Sequence, residues 1–175
     1  DQAVMLSLLH HNELAPIIEP VQVERFFRLE LQGYPMDLSG RIDIEEAETI
    51  RDTKTAAKSP QEDAAHESDQ LTIYALGKKI TTGILPKRLY LDHLIKTKIP
   101  KVVTQETVRA DGDFKRIFRL IERAIEVIDG GVFMPSPNGW HCSNRFCGYW
   151  ADKCPFGRRK AVSVRVKEKL LGGKI

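Results

Sequence analysis

Apolar positions along the chain change period several times, and each change marks an element. Residues 2 to 12 read as a helix: Ala3, Val4, Met5, Leu6, Leu8 and Leu9 lead into polar His10-His11-Asn12. Pro16 and Pro20 punctuate its exit. From Val21 to Leu31 the period drops to two. Val21, Val23, Phe27, Leu29 and Leu31 share one face of a predicted half-buried strand, with Phe26 out of step. Gly33-Tyr34-Pro35 is a turn. Met36 to Glu45 predicts a second strand and Thr49 to Thr53 a third, joined by a hairpin link. The polar stretch from Lys54 to Asp69 reads as a mobile loop. His66 to Leu76 has helical spacing, with Leu71, Ile73, Tyr74 and Leu76 near one face, and Gly83 ends that region. Pro86 to Leu94 and Lys101 to Val108 are β-like. Asp111 to Ile128 carries the clearest helical stripe: Phe114, Ile117, Phe118, Ile121, Ala124, Ile125 and Ile128. Asp111 or Asp113 can cap its start, and Gly130-Gly131 stops it. The order predicts an α/β domain, a mixed central β-sheet flanked by helices.

Composition narrows this picture only a little. The chain has 175 residues, 42% hydrophobic and 29% charged, which suits one ordinary globular domain. No apolar run approaches the roughly 20 residues of a membrane helix, so no membrane partner is expected. The opening Asp-Gln-Ala-Val-Met has neither an initiator Met nor a basic leader, which reads as a fragment or an internally started chain, and an odd, clustered set of three cysteines without a secretory signal favours a cytoplasmic protein. Net charge is 27 − 24 = +3. Its distribution is more informative: Arg158, Arg159, Lys160, Arg165, Lys167, Lys169 and Lys174 crowd the last segment against Glu168 alone. That is either a solvated tail or a nucleic-acid contact.

The chemistry concentrates in Gly40-Arg41-Ile42-Asp43 and Ile50-Arg51-Asp52-Thr53-Lys54. On paired strands the carboxylates of Asp43 and Asp52 would converge. Two close carboxylates repel, and a divalent cation with its preference for hard oxygens relieves the repulsion. Lys54, two residues from Asp52, points to the same strand face. Thr53 between them can offer its backbone carbonyl. Such a site suits phosphodiester hydrolysis, in which a metal lowers the pKa of bound water and a lysine neutralises developing charge. Asp-x-Lys by itself is common on ordinary surface hairpins. Its place at the end of an apolar strand, downstream of a Gly-x-x-Asp, is what sets this one apart.

Gly40-Arg41-Ile42-Asp43, Asp52-Thr53-Lys54 and Gln70-Leu71-Thr72-Ile73-Tyr74, in that order, resemble the RecB-like branch of the PD-(D/E)xK nuclease superfamily. The resemblance runs from about Val23 to Cys154. It implies a restriction-endonuclease-like core and a DNA exonuclease acting in recombination, repair or phage DNA processing, with a helicase or annealing protein as partner. It implies Mg²⁺ or Mn²⁺ held by Asp43, Asp52 and the Thr53 carbonyl, with Lys54 catalytic. Gln70 and Tyr74, one helical turn apart, match a helix that supports the site and approaches DNA. Many relatives also use an upstream His. His10 and His11 are the candidates here, although the family residue usually lies further upstream and is expected before Asp1. Glu24 matches a Glu often seen in relatives. Two other functions are compatible with the same fold: a non-catalytic DNA-binding or scaffold domain, and a structure-specific endonuclease.

Three cysteines, Cys142, Cys147 and Cys154, close the recognisable region. Several RecB-like nucleases bind an iron–sulfur cluster through such a loop and one upstream Cys. Here the spacing is longer and the fourth Cys is missing from the chain. Zinc held by His141 and the three thiols is awkward, because His141 and Cys142 are adjacent. A plain aromatic–thiol loop around Trp140, Phe146, Tyr149 and Trp150 competes with the cluster. The predicted organisation is a nuclease domain over residues 1–157, with the cysteine loop at 140–155, followed by a basic segment at 158–175. Arg158, Arg159 and Lys160 are the tail residues expected to meet DNA.

Overall fold

The computed structural model describes residues 1–34, 36–132, 141–150 and 154. The chain divides into two compact units, Asp1–Arg123 and Ala124–Ile175. Among the described residues, no helix is long and apolar enough to cross a membrane.

The first unit is built on a five-stranded mixed sheet in sequential order. Its strands are β1 (Gln22–Leu29), β2 (Leu38–Glu45), β3 (Thr49–Ala56), β4 (Arg88–Ile95) and β5 (Lys101–Thr107). β1, β2 and β3 form an antiparallel meander, β3 and β4 run parallel, and β5 returns antiparallel. A parallel neighbour needs a crossover. Here it consists of α2 (Ala64–Glu67) and α3 (Asp69–Thr82). Ser68 starts α3 by accepting the Leu71 amide, and Gly83 ends it in the left-handed region at φ +76°. The core lies between α3 and the sheet, from Phe27, Ile42, Ile50, Leu71, Ala75, Leu89 and Leu91. This is the α/β architecture that the residue pattern predicts.

α1 (Gln2–Leu9) is shorter than its apolar run. The chain continues as a π-helical turn, His10–Leu14, and a 3₁₀ turn, Ala15–Ile17. α4 (Asp111–Asp129) matches its predicted span; of the stripe, Phe114, Ile117 and Ile125 are buried, while Phe118 and Ile128 are exposed. The Asp113 carboxylate accepts the Ala110 amide at 2.8 Å, and Gly131 at φ +63° follows its last turn.

Three local expectations need correction. The third strand does not stop at Thr53 but runs to Ala56, because it gains a full parallel ladder with β4 up to Ala56–Ile95. Lys54 therefore stands in a strand, not in a loop. The rest of the polar stretch is partly ordered: Gln105 on β5 donates to the carbonyls of Gln61 and Glu62, and α2 follows. Finally, Val21 and Val23 are exposed while Phe27 and Leu29 are buried. β1 fails to alternate across its whole length because Glu24 takes a positive φ of 53°.

Candidate active site

Glu24 lies where the sheet is irregular. The β1–β2 ladder pairs Val23 with Ile44 and Arg25 with Ile42, and passes over Glu24 and Asp43 between them. On β2, Ile42 and Glu45 are both buried although three positions apart, which strict alternation forbids. The break falls at Asp43 and Ile44. The β2–β3 ladder holds at Glu45–Ile50 and Ile44–Arg51, then stops one step short of Asp43 and Asp52. The two carboxylates therefore sit where β2 and β3 part. The Thr53 amide bridges the gap, donating to Asp43 Oδ2 at 3.3 Å.

Asp52 is 1% exposed. The Lys54 ammonium lies 2.9 Å from its Oδ1 and 2.8 Å from its Oδ2. Alignment favours Oδ1, and Oδ2 remains buried without a hydrogen bond. Burial pushes the Asp52 carboxyl above its ordinary range. Lys54 works against that rise, and the nearby Asp43 carboxylate adds to it. A buried anion that is undersupplied with donors and adjoins a second carboxylate calls for a cation.

α3 brings the next two candidates. Gln70 Nε2 donates to the Tyr74 hydroxyl at 2.6 Å, one turn along the helix. Burial raises the Tyr74 phenol pKa. Asp43 and Asp52 raise it further, while Gln70 and Lys54 oppose them. The hydroxyl thus lies within the field of all three charged residues. Tyr74 meets Phe27 edge to face, with centroids 6.3 Å apart.

Phe27 explains two glycines. A Cβ on Gly40 would come within 2.6 Å of its ring, and one on Gly77 within 2.8 Å. Gly40 opens the Gly-x-x-Asp and is the register partner of Phe27. Its role is to let the ring lie between β2 and α3. Gly77 has the same role on α3, and nothing local in the sequence marks it.

Charged residues also fix α3 to the hairpin. Lys78, 2% exposed, donates to the carbonyls of Glu46 at 2.5 Å and Ala47 at 2.8 Å, and its ammonium lies 3.5 Å from Glu45. Arg25 joins Glu45 to Thr81. At the other end, buried Arg109 donates to Thr72 and to the carbonyls of Ala65 and Ser68. The reverse face of the sheet carries a separate network. There Arg51 grips Asp92 with 2.9 and 3.2 Å contacts, Thr104 donates to Asp92, and the guanidinium stacks on Tyr90 at 4.1 Å.

The remaining candidates lie elsewhere. His10 lines a groove of about 540 Å³ with Ser7, Thr55 and Lys96. Among the described residues, no group of three His, Cys, Asp or Glu side chains gathers at one point. Neither His10 nor His11 therefore joins Asp43 and Asp52, and Glu24 faces Arg41, with a 3.8 Å carboxylate contact and its carbonyl accepting from Arg41 at 3.1 Å. Cys142, Cys147 and Cys154 are half-buried free thiols in the second unit. Arg158, Arg159 and Lys160 lie outside the described residues, as does the expected boundary at 157. His93 was not picked out by the sequence pattern. It is the register partner of Lys54 on β4, is 9% exposed, and has a buried Nδ1 with no partner.

The donor set fits a hard cation. Two carboxylates suffice for Mg²⁺, which keeps several waters and completes its shell from substrate phosphate.

No curated protein matches the chain. Among solved structures, it resembles the Eubacterium rectale protein named "Putative exonuclease", with a TM-score of 0.57 at 14% identity, covering 99% of this chain and 65% of that one. The chain thus spans slightly less than two thirds of that relative, and the likeness speaks for fold alone. A second structure, SSO0001, aligns at a TM-score of 0.40 and 18% identity, over 88% of this chain and 66% of that one. At the level of sequence, the family model of the PD-(D/E)XK nuclease superfamily matches residues 2–156. That stretch takes in the parted strands with Asp43, Asp52 and Lys54, as well as the helix with Gln70 and Tyr74, and the chain belongs to the PD-(D/E)XK nuclease superfamily.

Proposed function

We propose that this nuclease is a metal-dependent deoxyribonuclease of the RecB-like branch, an exonuclease serving recombination, repair or phage DNA processing. The observation that carries the reading is the buried Asp52 carboxylate, which has one oxygen without a hydrogen bond and stands beside Asp43 and in contact with Lys54. Asp43, Asp52 and the Thr53 carbonyl would hold Mg²⁺ or Mn²⁺. When bound, the ion supplies Lewis acidity at the scissile phosphate and an acidified water.

The protein side chains do the rest. Lys54, whose side chain is 42% exposed, can leave Asp52 and meet phosphate oxygen or orient the attacking water. Tyr74 stays protonated and presents a fixed hydroxyl, oriented by Gln70, toward the same charges. Arg158, Arg159 and Lys160 serve as phosphate contacts. The cysteine loop would hold an iron–sulfur cluster if a fourth thiolate joined Cys142, Cys147 and Cys154, the alternative being a plain aromatic–thiol loop. A helicase or annealing protein would deliver DNA ends in the cytoplasm of a bacterium or phage host.

Asp43, Asp52 and Lys54 are all intact, which argues against a purely structural domain that would carry their mutual repulsion for no return. The test uses end-labelled and circular DNA, single- and double-stranded, with Mg²⁺, Mn²⁺ or EDTA. Metal-dependent loss of ends is expected, with circles spared. Asp52→Ala and Lys54→Ala should each lower kcat by about 100-fold or more. Cleavage of circles would move the reading to an endonuclease. Unimpaired cleavage by Asp52→Ala would remove the site itself. A brown preparation absorbing near ~400 nm would support the cluster, and colourless protein purified without oxygen would favour the plain aromatic–thiol loop for this chain.

A further inference from the structure

His93 occupies a position that packing alone does not account for. The parallel register sets it directly beside Lys54, so both side chains leave the sheet on the face that holds Asp52 and α3. Its ring is almost wholly buried, and Nδ1 has no hydrogen-bond partner. The neighbouring acid does not satisfy it, because Asp92 faces the other side of the sheet and is held by Arg51 and Thr104. Burial lowers the imidazole pKa; Asp92 opposes the shift and Lys54 adds to it, which favours the form with a lone pair at the unpartnered nitrogen. Lys54 meanwhile directs its ammonium to Asp52, although its long side chain is 42% exposed and free to swing outward.

These two incomplete groups complement each other once Asp52 is engaged elsewhere. We propose that His93 is a positioning residue for Lys54: when the Asp52 oxygens turn to a divalent cation, Lys54 Nζ–H donates to His93 Nδ1, which keeps the ammonium at the site. The ring proton then resides on Nε2. Held this way, Lys54 forfeits little freedom on meeting the scissile phosphate, which is where positioned groups gain rate. This deepens the metal-dependent nuclease reading and rests on it.

Two measurements test it. In ¹⁵N-histidine-labelled wild type, the His93 Nδ1 resonance should move to a hydrogen-bonded position on addition of Ca²⁺, a non-cleaving probe, and should not move in Lys54→Ala. In kinetics, His93→Leu should lower kcat about tenfold, the value of one positioning hydrogen bond. KM for DNA, Ca²⁺ affinity and Tm should hold or, for Tm, rise. His93→Gln, which restores an acceptor, should recover most of that loss. An Nδ1 resonance unmoved by Ca²⁺, or wild-type kcat in His93→Leu, overturns the proposal. A wild type that cleaves nothing while Nδ1 still moves would cost the nuclease reading and leave the pairing standing.

Discussion

At the scale of single residues, the site trades stability for readiness. Asp52 is an acid whose folded pKa lies above its ordinary range, chiefly through burial. Below the ordinary range, both folded and unfolded chains hold the proton and the burial penalty is absent. As pH rises from there to the raised folded value, the unfolded chain ionises first, so stability falls across that window and stays reduced above it. Asp52→Asn should therefore melt higher than wild type at neutral pH and level with it in acid, while losing cleavage. Mg²⁺ should raise the Tm of wild type and leave that of the variant nearly unchanged, as differential scanning fluorimetry would show. Asp43, Asp52, Lys54, Gln70 and Tyr74 could all be picked out of the sequence, because each belongs to a short motif with a fixed interval. His93 could not: Leu-Asp-His-Leu is an unremarkable strand, and only the β3–β4 register brings it to Lys54.

At the scale of elements, the Phe27 ring packs the sheet against α3 at two glycines, Gly40 and Gly77. Gly40→Ala should destabilise the protein by about 1–3 kcal/mol in urea unfolding, the usual cost of overpacking. Adding Phe27→Leu should recover part of that cost, because it removes the ring that the new methyl strikes. Full additivity of the two changes would refute the close-packing account. Lys78→Met should cost about 3 kcal/mol, since it strands two carbonyls and leaves Glu45 to Arg25 alone. The strands and α4 could be read from their apolar runs and stripes, although β4 is buried on both faces and α4 leaves Phe118 and Ile128 exposed. The end of β3 could not, since Lys54-Thr55-Ala56 is polar and is held by β4, whose own sequence lies more than thirty residues on. The break in β1 was equally hidden, because Val21 and Val23 keep the alternating pattern after Glu24 has turned them away from the core.

At the scale of the whole molecule, the net charge of +3 cannot by itself concentrate DNA, so affinity depends on where the cations stand. Replacing Arg158, Arg159 and Lys160 together by Ala should flatten the slope of log affinity against log salt by about 2–3, near 0.9 per lost phosphate contact, with kcat at saturating DNA preserved. An unchanged slope would leave that tail as solvated surface. The buried knot of Lys78, Glu45 and Arg25 bears on a different matter, the order in which the protein is finished. During synthesis, the β1–β2–β3 meander leaves the ribosome first, with Asp43, Asp52 and Lys54 already aboard. Its Glu45 meets Arg25 within the meander but lacks its second cation, Lys78, until α3 arrives, and Phe27 has no second wall before Gly77. A nascent chain released before α3 thus carries every proposed metal ligand and still lacks a finished cutting centre.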